Sequence, residues 1–343
     1  MSSSRRFKLL AALVVLLVLA VAGWSALWVT ARDRVEAEID RALAREARAG
    51  RQVACAERTL AGFPFRIEVT CARPLFAQSR GQLLEVTATR LTARAAIWQP
   101  RRVRIDVAGP LRVAEPGPGG REIAEVAFSA ATAEALYDWS GRHGLTASAR
   151  DIAIRLPSAA EPYRSPHAEL VMRRKAADGA GGHPVEITTA VSRLEGPLQL
   201  PGVHGAIDLD AELTVSELDQ VQGASRAERL RSWAEAGGRA EIARLRVLSP
   251  GAASETSGTL ALDPRGRVNG ALKVLVHGLD QVLGDLIERR LMPREMMTMM
   301  PTLAALSQKG DIGGRPAMVL PVNLREGLIR IGPMPVGALP PVF

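Results

Sequence analysis

Residues 65–71 of the chain read FRIEVTC, and the pattern of this short stretch predicts the class of the fold. Its apolar side chains, Phe65, Ile67, Val69 and Cys71, alternate with the polar side chains between them. Successive side chains of a β-strand point to opposite faces of the sheet, so this alternation indicates one buried face and one face in water. The stretch therefore predicts a half-buried strand.

The same alternation recurs along most of the chain beyond Gly50. It is found at residues 103–107, 111–113, 152–156, 185–191, 207–213, 260–262, 272–276 and 328–331. Turn-forming Gly, Pro and Asp residues separate these runs at 115–120, 178–182, 263–266 and 325–327. Many short alternating strands joined by polar turns predict a mainly β (α+β) protein, with a large curved antiparallel sheet that a few helices cover.

Two stretches beyond Gly50 have helical rather than alternating spacing. Residues 132–142 place Leu136 and Trp139 on one side of a predicted helix. From Leu279 onward, apolar side chains recur at intervals of three and four, which also predicts a helix. We expect these helices to pack on the sheet.

The second helical stretch leads into a group of methionines. Its members are Met292, Met296, Met297, Met299 and Met300. Methionine side chains are flexible and polarizable, so the group suits a lipid-lined groove or a surface that docks a partner protein. The alternative is a core helix that covers the apolar face of the sheet, and both hold if the helix lines a cavity beside the sheet.

The N-terminal region contains an uncharged apolar segment from Leu9 to Val29. At about 1.5 Å per residue this segment spans about 30 Å, the thickness of the hydrocarbon core of a membrane. The basic residues Arg5, Arg6 and Lys8 precede it and favour a cytoplasmic N-terminus. We therefore expect a single-pass inner-membrane protein with a cytoplasmic n-region (1–8), a transmembrane anchor (9–29), a stalk helix (30–50) and a periplasmic β-rich domain (51–343).

A cleaved signal peptide is the alternative to an uncleaved anchor. Ala20 and Ala22 provide the spacing of small residues that precedes a cleavage site. The apolar run continues past Ala22 through Trp24 and Leu27, however, which is longer than such a peptide requires. Both interpretations export the remainder of the chain, and the anchor is favoured.

The two cysteines of the chain, Cys55 and Cys71, lie sixteen positions apart, soon after the apolar segment. They lack the spacing of a zinc site or of a CxxC redox pair. A structural disulfide in an oxidising periplasm is the simplest interpretation, and two buried free thiols are the alternative.

The net charge of the chain is +8, with 44 Lys and Arg against 36 Asp and Glu. Acidic and basic residues are interspersed beyond the apolar segment, as in residues 32–36, and form no basic stripe. Aromatic residues do not alternate with the basic ones, so a stacking surface for single-stranded nucleic acid is not indicated. We expect no nucleic-acid partner.

The sequence Gly62-Phe63-Pro64-Phe65, set between the two cysteines, resembles the domain of unknown function 2125 family. The apolar N-terminus, the late stretch 327–333 and the closing run 339–341 fit the same pattern. This resemblance implies a membrane-anchored protein of a proteobacterial envelope, and it carries over no catalytic residue. An anchor followed by amphipathic strands is also similar, in architecture alone, to AsmA-type envelope proteins, whose long curved sheets suggest lipid handling.

The GFPF motif also has a direct physical interpretation. Pro64 favours an extended conformation at Phe63, and Gly62 permits a tight approach of the backbone before the strand. Two phenylalanine rings and a disulfide would then fix the start of the strand to the stalk helix. A structural anchor is therefore favoured over a ligand site.

No arrangement of side chains predicts catalysis. Asp138, Ser140 and His143 lie within six positions of one another on a predicted helix, without the strand–turn–helix motif of a nucleophilic serine. We expect no enzymatic activity, no cofactor and no metal site. The favoured hypothesis is a lipid that binds or passes along the apolar face of the sheet, and the alternative is a structural envelope protein with a filled core and a docked partner.

Overall fold

The computed structural model describes most of the chain. The described residues are 2–78, 83–117, 119–138, 141–176, 182–198, 202–223, 225–290, 308–332 and 334–343. The methionine group between residues 292 and 300 lies outside this part of the chain, and so do Trp139 and Ser140.

A single helix, α1, covers Ser2–Arg48 and contains both the apolar segment and the predicted stalk. At about 1.5 Å per residue, its 47 residues extend about 70 Å. Gly50 follows with a φ of 77°, a left-handed conformation that ends helices and that glycine adopts without a steric penalty. The residues predicted as a stalk are thus helical as far as Arg48, and the helix continues without a break from the apolar segment into them.

Strands make up most of the remaining described residues. They are β1 (Arg51–Ala61), β2 (Arg66–Gln78), β3 (Leu84–Thr87), β4 (Arg90–Ala96), β5 (Gln99–Ala108), β6 (Leu111–Ala114), β7 (Glu122–Ala127), β8 (Ala130–Asp138), β9 (Gly141–Arg155), β10 (Tyr163–Arg174), β11 (Val185–Leu194), β12 (Ile207–Val215), β13 (Arg239–Leu248), β14 (Ala253–Leu262), β15 (Val268–His277), β16 (Gln308–Ile312), β17 (Arg315–Arg325), β18 (Leu328–Ile331) and β19 (Met334–Ala338). All pair antiparallel in one sheet, which confirms the predicted fold class.

The main path through the sheet is a meander. It runs β1-β2-β4-β5-β8-β9-β10-β11-β12-β13-β14-β15-β17-β18-β19, and β16 pairs with the first half of β17. Three short strands, β3, β6 and β7, form a second path of pairing in the same sheet, from the C-terminal part of β2 to the C-terminal end of β9. Neighbours in sequence are therefore neighbours in space over most of the sheet.

A line of irregularities crosses the first part of the sheet. On this line β2 contains Arg73 and β9 contains Asp151, with positive φ angles of 49° and 50°. The chain between β2 and β9 is also interrupted along this line. It ends one strand and begins the next after two residues at the steps from β3 to β4, from β5 to β6 and from β7 to β8. The register of β2 with β1 and of β9 with β10 is the same on both sides of these residues, so the pairing continues across the line.

One face of the sheet is apolar across twelve of its strands. Residues directly opposite each other on antiparallel strands share a face, so a row of partners can be followed from strand to strand. One such row consists of Val69, Ala93, Ile105, Ala133, Ala147, Leu170, Thr189, Ala211, Leu245, Thr256, Val274 and Leu320. It crosses twelve strands, about 50 Å at the usual strand spacing, without a charged residue. We call this face the apolar face.

The opposite face carries ion pairs between neighbouring strands. Arg94 of β4 contacts Glu68 of β2 at 2.9 Å and Asp106 of β5 at 2.6 Å. Further along the sheet, Arg246 of β13 contacts Glu255 of β14 at 2.7 Å. The alternation in sequence thus becomes one polar face and one apolar face.

The side chains of the apolar face are only half-buried. In the row of twelve, Ala211 is buried and all of the others are of intermediate exposure. Ile312, at 1% exposure, is the one large side chain below 2% in the described part of the chain. A face of this kind has a large apolar area without the full burial of an ordinary core.

Two helices follow β12 and β15. Helix α2 (Arg226–Glu235) was not predicted, and it begins with a capping box in which the Ser225 side chain and Glu228 satisfy each other's backbone amides. Helix α3 (Leu279–Glu288) confirms the helix predicted from Leu279, and it buries Leu283.

The helix predicted over residues 132–142 is wrong, since residues 130–138 form β8. Ala131, Ala133 and Ala135 alternate onto the apolar face, where they pair with β5 on one side and β9 on the other. Alanine and leucine favour helices, but pairing with two neighbouring strands overrides this weak preference.

Candidate functional site

The GFPF motif forms the tip of the hairpin between β1 and β2, and this tip lies against α1. The indole Nε1–H of Trp24 donates a hydrogen bond to the carbonyl oxygen of Pro64 at 2.8 Å. The indole Nε1–H of Trp28 donates to the carbonyl oxygen of Arg66 at 3.0 Å. Two side chains one helical turn apart therefore hold the backbone of the tip and of the start of β2.

Aromatic rings extend from this attachment to a second hairpin. Trp28 contacts Phe63 edge to face, with ring centroids 5.5 Å apart. Trp24 lies 6.5 Å from Phe65, which in turn lies 6.2 Å from Trp98 in the turn between β4 and β5. We call these five residues the aromatic junction.

The backbone of the tip explains why glycine occupies position 62. Gly62 has a φ of 107°, and a Cβ atom there would approach the carbonyl oxygen of Arg66 to 2.6 Å. The amide of Arg66 donates to the carbonyl oxygen of Gly62 at 3.1 Å, and the bond between Phe63 and Pro64 is cis. The amide of Ile97 then donates to the carbonyl oxygen of Phe65 at 3.1 Å, which ties the two hairpin tips together.

The two cysteines lie on β1 and β2, six to seven residues along the strands from the GFPF turn. Their sulfur atoms are 2.10 Å apart, at disulfide distance, and their Cα atoms are 5.6 Å apart. The sequence separation of 16 residues encloses the whole GFPF turn. A covalent loop therefore closes the hairpin that α1 contacts.

Ion pairs attach β1 to the part of α1 that follows the apolar segment. Arg58 contacts Asp40 at 2.8 Å and Glu36 at 3.6 Å. Further along, Arg51 pairs with Glu46, and the hydrogen bond from Arg51 holds the pKa of Glu46 below its ordinary value. Helix and strand are thus held together at several levels above the tip.

These contacts place α1 at the β1 end of the apolar face. Arg58 lies opposite Cys71, and Leu60 lies opposite Val69, which begins the row of twelve. Opposite residues share a face, so α1 meets β1 on the apolar side of the sheet. The apolar face therefore begins beside the helix and extends away from it.

The structure brings together only part of the predicted site. Phe63 and Phe65 of the motif belong to the aromatic junction, and Gly62 and Pro64 lie in the same hairpin tip, while the methionine group is outside the described residues. Trp98 was not predicted, although its position in a turn between two alternating strands was a usable signal. Trp24 and Trp28 lie near the end of the apolar segment, and nothing in the local sequence predicts their hydrogen bonds to the hairpin.

The fold and junction define a class of protein: a large antiparallel sheet attached to one apolar helix. Among the described residues, one helix is long and apolar enough to cross a membrane, by length and composition. The model of a bacterial family, described as an uncharacterized protein conserved in bacteria (DUF2125), matches residues 28–340. The chain belongs to this family, as its resemblance implied. No curated protein and no solved structure matches the chain, and the similarity to AsmA-type proteins stays a prediction.

Proposed function

We propose that this protein is a non-enzymatic, membrane-anchored lipid-binding protein of the cell envelope, with acyl chains lying on the apolar face of its sheet. In this proposal α1 crosses the inner membrane and the sheet lies in the periplasm. The observation that carries the proposal is the apolar face itself, which is continuous over twelve strands and only half-buried.

The composition of the face supports an acyl chain as its occupant. The row of twelve contains only aliphatic side chains and two threonines, with alanine on four strands. Small side chains leave space above the sheet, and the absence of charge removes any cost of desolvating an ion. A flexible hydrocarbon chain can follow such a surface without finding hydrogen-bond partners.

The position of α1 supports the bilayer as the source of that lipid. The apolar face begins at β1, where the helix leaves its apolar segment, so hydrocarbon and apolar face lie next to each other. A lipid could move from one to the other with little exposure of its chains to water.

Two features of the sequence support the periplasmic location. Basic residues precede the apolar segment, and this arrangement keeps an N-terminus in the cytoplasm. The cysteine pair is at disulfide distance, which suits an oxidising compartment.

Photo-crosslinking of the full-length protein tests the proposal. A benzoylphenylalanine is placed at position 170, where Leu170 lies on the apolar face between Ala147 and Thr189, or at the adjacent position 169. Glu169 is exposed on the polar face of the same strand, so the two variants differ only in the face that they probe. Cells are irradiated, and adducts on the purified protein are identified by mass spectrometry.

We expect an adduct of phospholipid mass from Leu170→benzoylphenylalanine and none from Glu169→benzoylphenylalanine. Lipid adducts of equal yield at both positions would show contact without a binding face and would overturn the proposal. Crosslinks from position 170 only to protein would also overturn it, in favour of a structural role in which the face is filled.

A further inference from the structure

The end of the apolar segment fixes the level of the membrane boundary on α1. Trp24 and Trp28 lie in the last part of the segment that ends at Val29. Tryptophan prefers the boundary between hydrocarbon and headgroups, because its ring is apolar and its N–H is polar. Here both N–H groups bond to the backbone of the hairpin tip.

The hairpin tips must therefore lie at the same level as this boundary. From Val29, α1 rises about 28 Å to its end at about 1.5 Å per residue, and β1 then returns about 33 Å at about 3.3 Å per residue. The near equality of the two lengths agrees with the direct contacts between Trp24 and Pro64 and between Trp28 and Arg66.

Three large rings on these tips are exposed. Phe63, Phe65 and Trp98 have exposures of 53%, 58% and 65%, whereas Trp28, which faces the hairpin, has 8%. A cluster of exposed aromatic rings in water is unfavourable, and it marks a surface that contacts an apolar partner. At the level of the membrane boundary, that partner is the bilayer.

The charges around the rings agree with such a contact. Residues 61–66 and 96–102 contain no acidic residue, and basic residues follow the rings in both tips. Arg66 follows Phe65, and Arg101 and Arg102 follow Trp98 after two residues. Arg66 contacts Glu68 at 3.6 Å and Arg102 contacts Glu134 at 3.5 Å, so the first acidic side chains lie further from the tips than the guanidinium groups. This order of rings, cations and acids suits an element whose tip reaches the acyl boundary and whose base lies at the level of lipid phosphates.

We propose that the tips of the β1–β2 and β4–β5 hairpins are embedded in the interfacial layer of the bilayer that α1 crosses. The rings of Phe63, Phe65 and Trp98 insert beside the helix and form a second membrane contact, made by the edge of the sheet. This inference rests on α1 spanning a membrane, and it is independent of whether lipid occupies the apolar face.

A nitroxide label on the full-length protein measures this insertion. The two native cysteines lie at disulfide distance, so an introduced cysteine supplies a single free thiol. Gln99→Cys places the label at the tip and keeps all three rings. Ala108→Cys places it at the other end of β5, about 30 Å away at about 3.3 Å per residue, and is the matched control.

The protein is reconstituted into vesicles of phosphatidylethanolamine and phosphatidylglycerol, and collision of the label with oxygen and with a water-soluble nickel chelate is measured. We expect the ratio of oxygen to nickel collisions to be several-fold higher at position 99 than at position 108. Trp98→Cys provides a second label at the tip if Gln99→Cys fails to fold.

A label at the tip that meets the nickel chelate as often as the label at position 108 would overturn the proposal. That result would leave lipid binding on the apolar face untouched, since the crosslinks from Leu170 are read on a different part of the sheet. Loss of the crosslinks with a shielded tip would overturn the proposed function and leave the embedded hairpins standing.

Discussion

Replacing Trp28 with phenylalanine should loosen the hairpin tip without removing the aromatic contact that holds it. The variant keeps a ring beside Phe63 but loses the indole N–H that donates to the carbonyl oxygen of Arg66 at 3.0 Å. Trp28 is 8% exposed, so water has little access to replace the lost donor. The change therefore isolates one hydrogen bond between the helix and the sheet.

The expected cost follows from that exposure. Removing one partner of a part-buried hydrogen bond costs about 1–2 kcal/mol, because the acceptor loses its partner without regaining full hydration. A free-energy change of about this size raises the equilibrium constant for local opening about 5- to 30-fold. Amides in the tip should therefore exchange about 5- to 30-fold faster, while exchange in the rest of the sheet stays unchanged.

Hydrogen exchange read by NMR or by mass spectrometry can measure this opening. The reporters are the amides of Arg66 and Ile97, which donate to carbonyl oxygens within the joined tips. The amide of Gly266, in the turn between β14 and β15, serves as a distant reference and should not change. Trp98→Phe is the matched control variant, because it makes the same substitution at an exposed ring.

Two results would refute the reasoning. Unchanged exchange at Arg66 and Ile97 in Trp28→Phe would mean that the helix does not hold the tip. Equal acceleration in Trp98→Phe would mean that the rings, rather than the hydrogen bond, provide the attachment.

Three further predictions concern the stability of the sheet. Replacing Cys55 and Cys71 with alanine should lower the free energy of unfolding by about 3 kcal/mol, from the loss of a 16-residue loop closure, and denaturant titration checks this. Gly258→Ala should cost at least about 1–3 kcal/mol in the same titration, since its φ is 139° and the new Cβ would lie 2.1 Å from a carbonyl oxygen of β15. Desolvation raises the pKa of Asp263, but hydrogen bonds from Arg267 outweigh it and hold that pKa below its ordinary value. The turn between β14 and β15 should therefore be most stable above about pH 4. Its amide protection factors, in which the slower intrinsic exchange at low pH is divided out, should fall as the pH falls through the lowered pKa, and Asp263→Asn should remove this dependence.

The strands were the most predictable part of the fold because their pattern is local. Residues 65–71 and 207–213 alternate strictly; residues 66–71 lie in β2 and residues 207–213 lie in β12, with the expected face in the sheet. Residues 132–142 misled the prediction because alanine fits both a helix and the crowded apolar face between two strands. Only the pairing partners, which are distant in sequence, decide between the two.

The N-terminal residues of helix α2 contain a local pattern that predicts the start of a helix. Ser225 and Glu228 have the spacing of a capping box, and both reciprocal hydrogen bonds are formed. The aromatic junction is a different case, since Trp24 and Pro64 are 40 residues apart and no local pattern encodes their contact. The sequence could place tryptophans at a membrane boundary and a tight turn in a hairpin, but it could not join them.

Because α1 is one continuous helix, its apolar segment is joined to the sheet without an intervening break in the helix. The helix has no break between Leu9 and Arg48, and β1 is attached to it at the tip and again through Arg58. A transmembrane helix changes its tilt when the thickness of the bilayer changes. In the proposed membrane arrangement, a change in the tilt of α1 turns β1 with it through these contacts, so the thickness of the bilayer would influence the angle at which the apolar face meets the membrane.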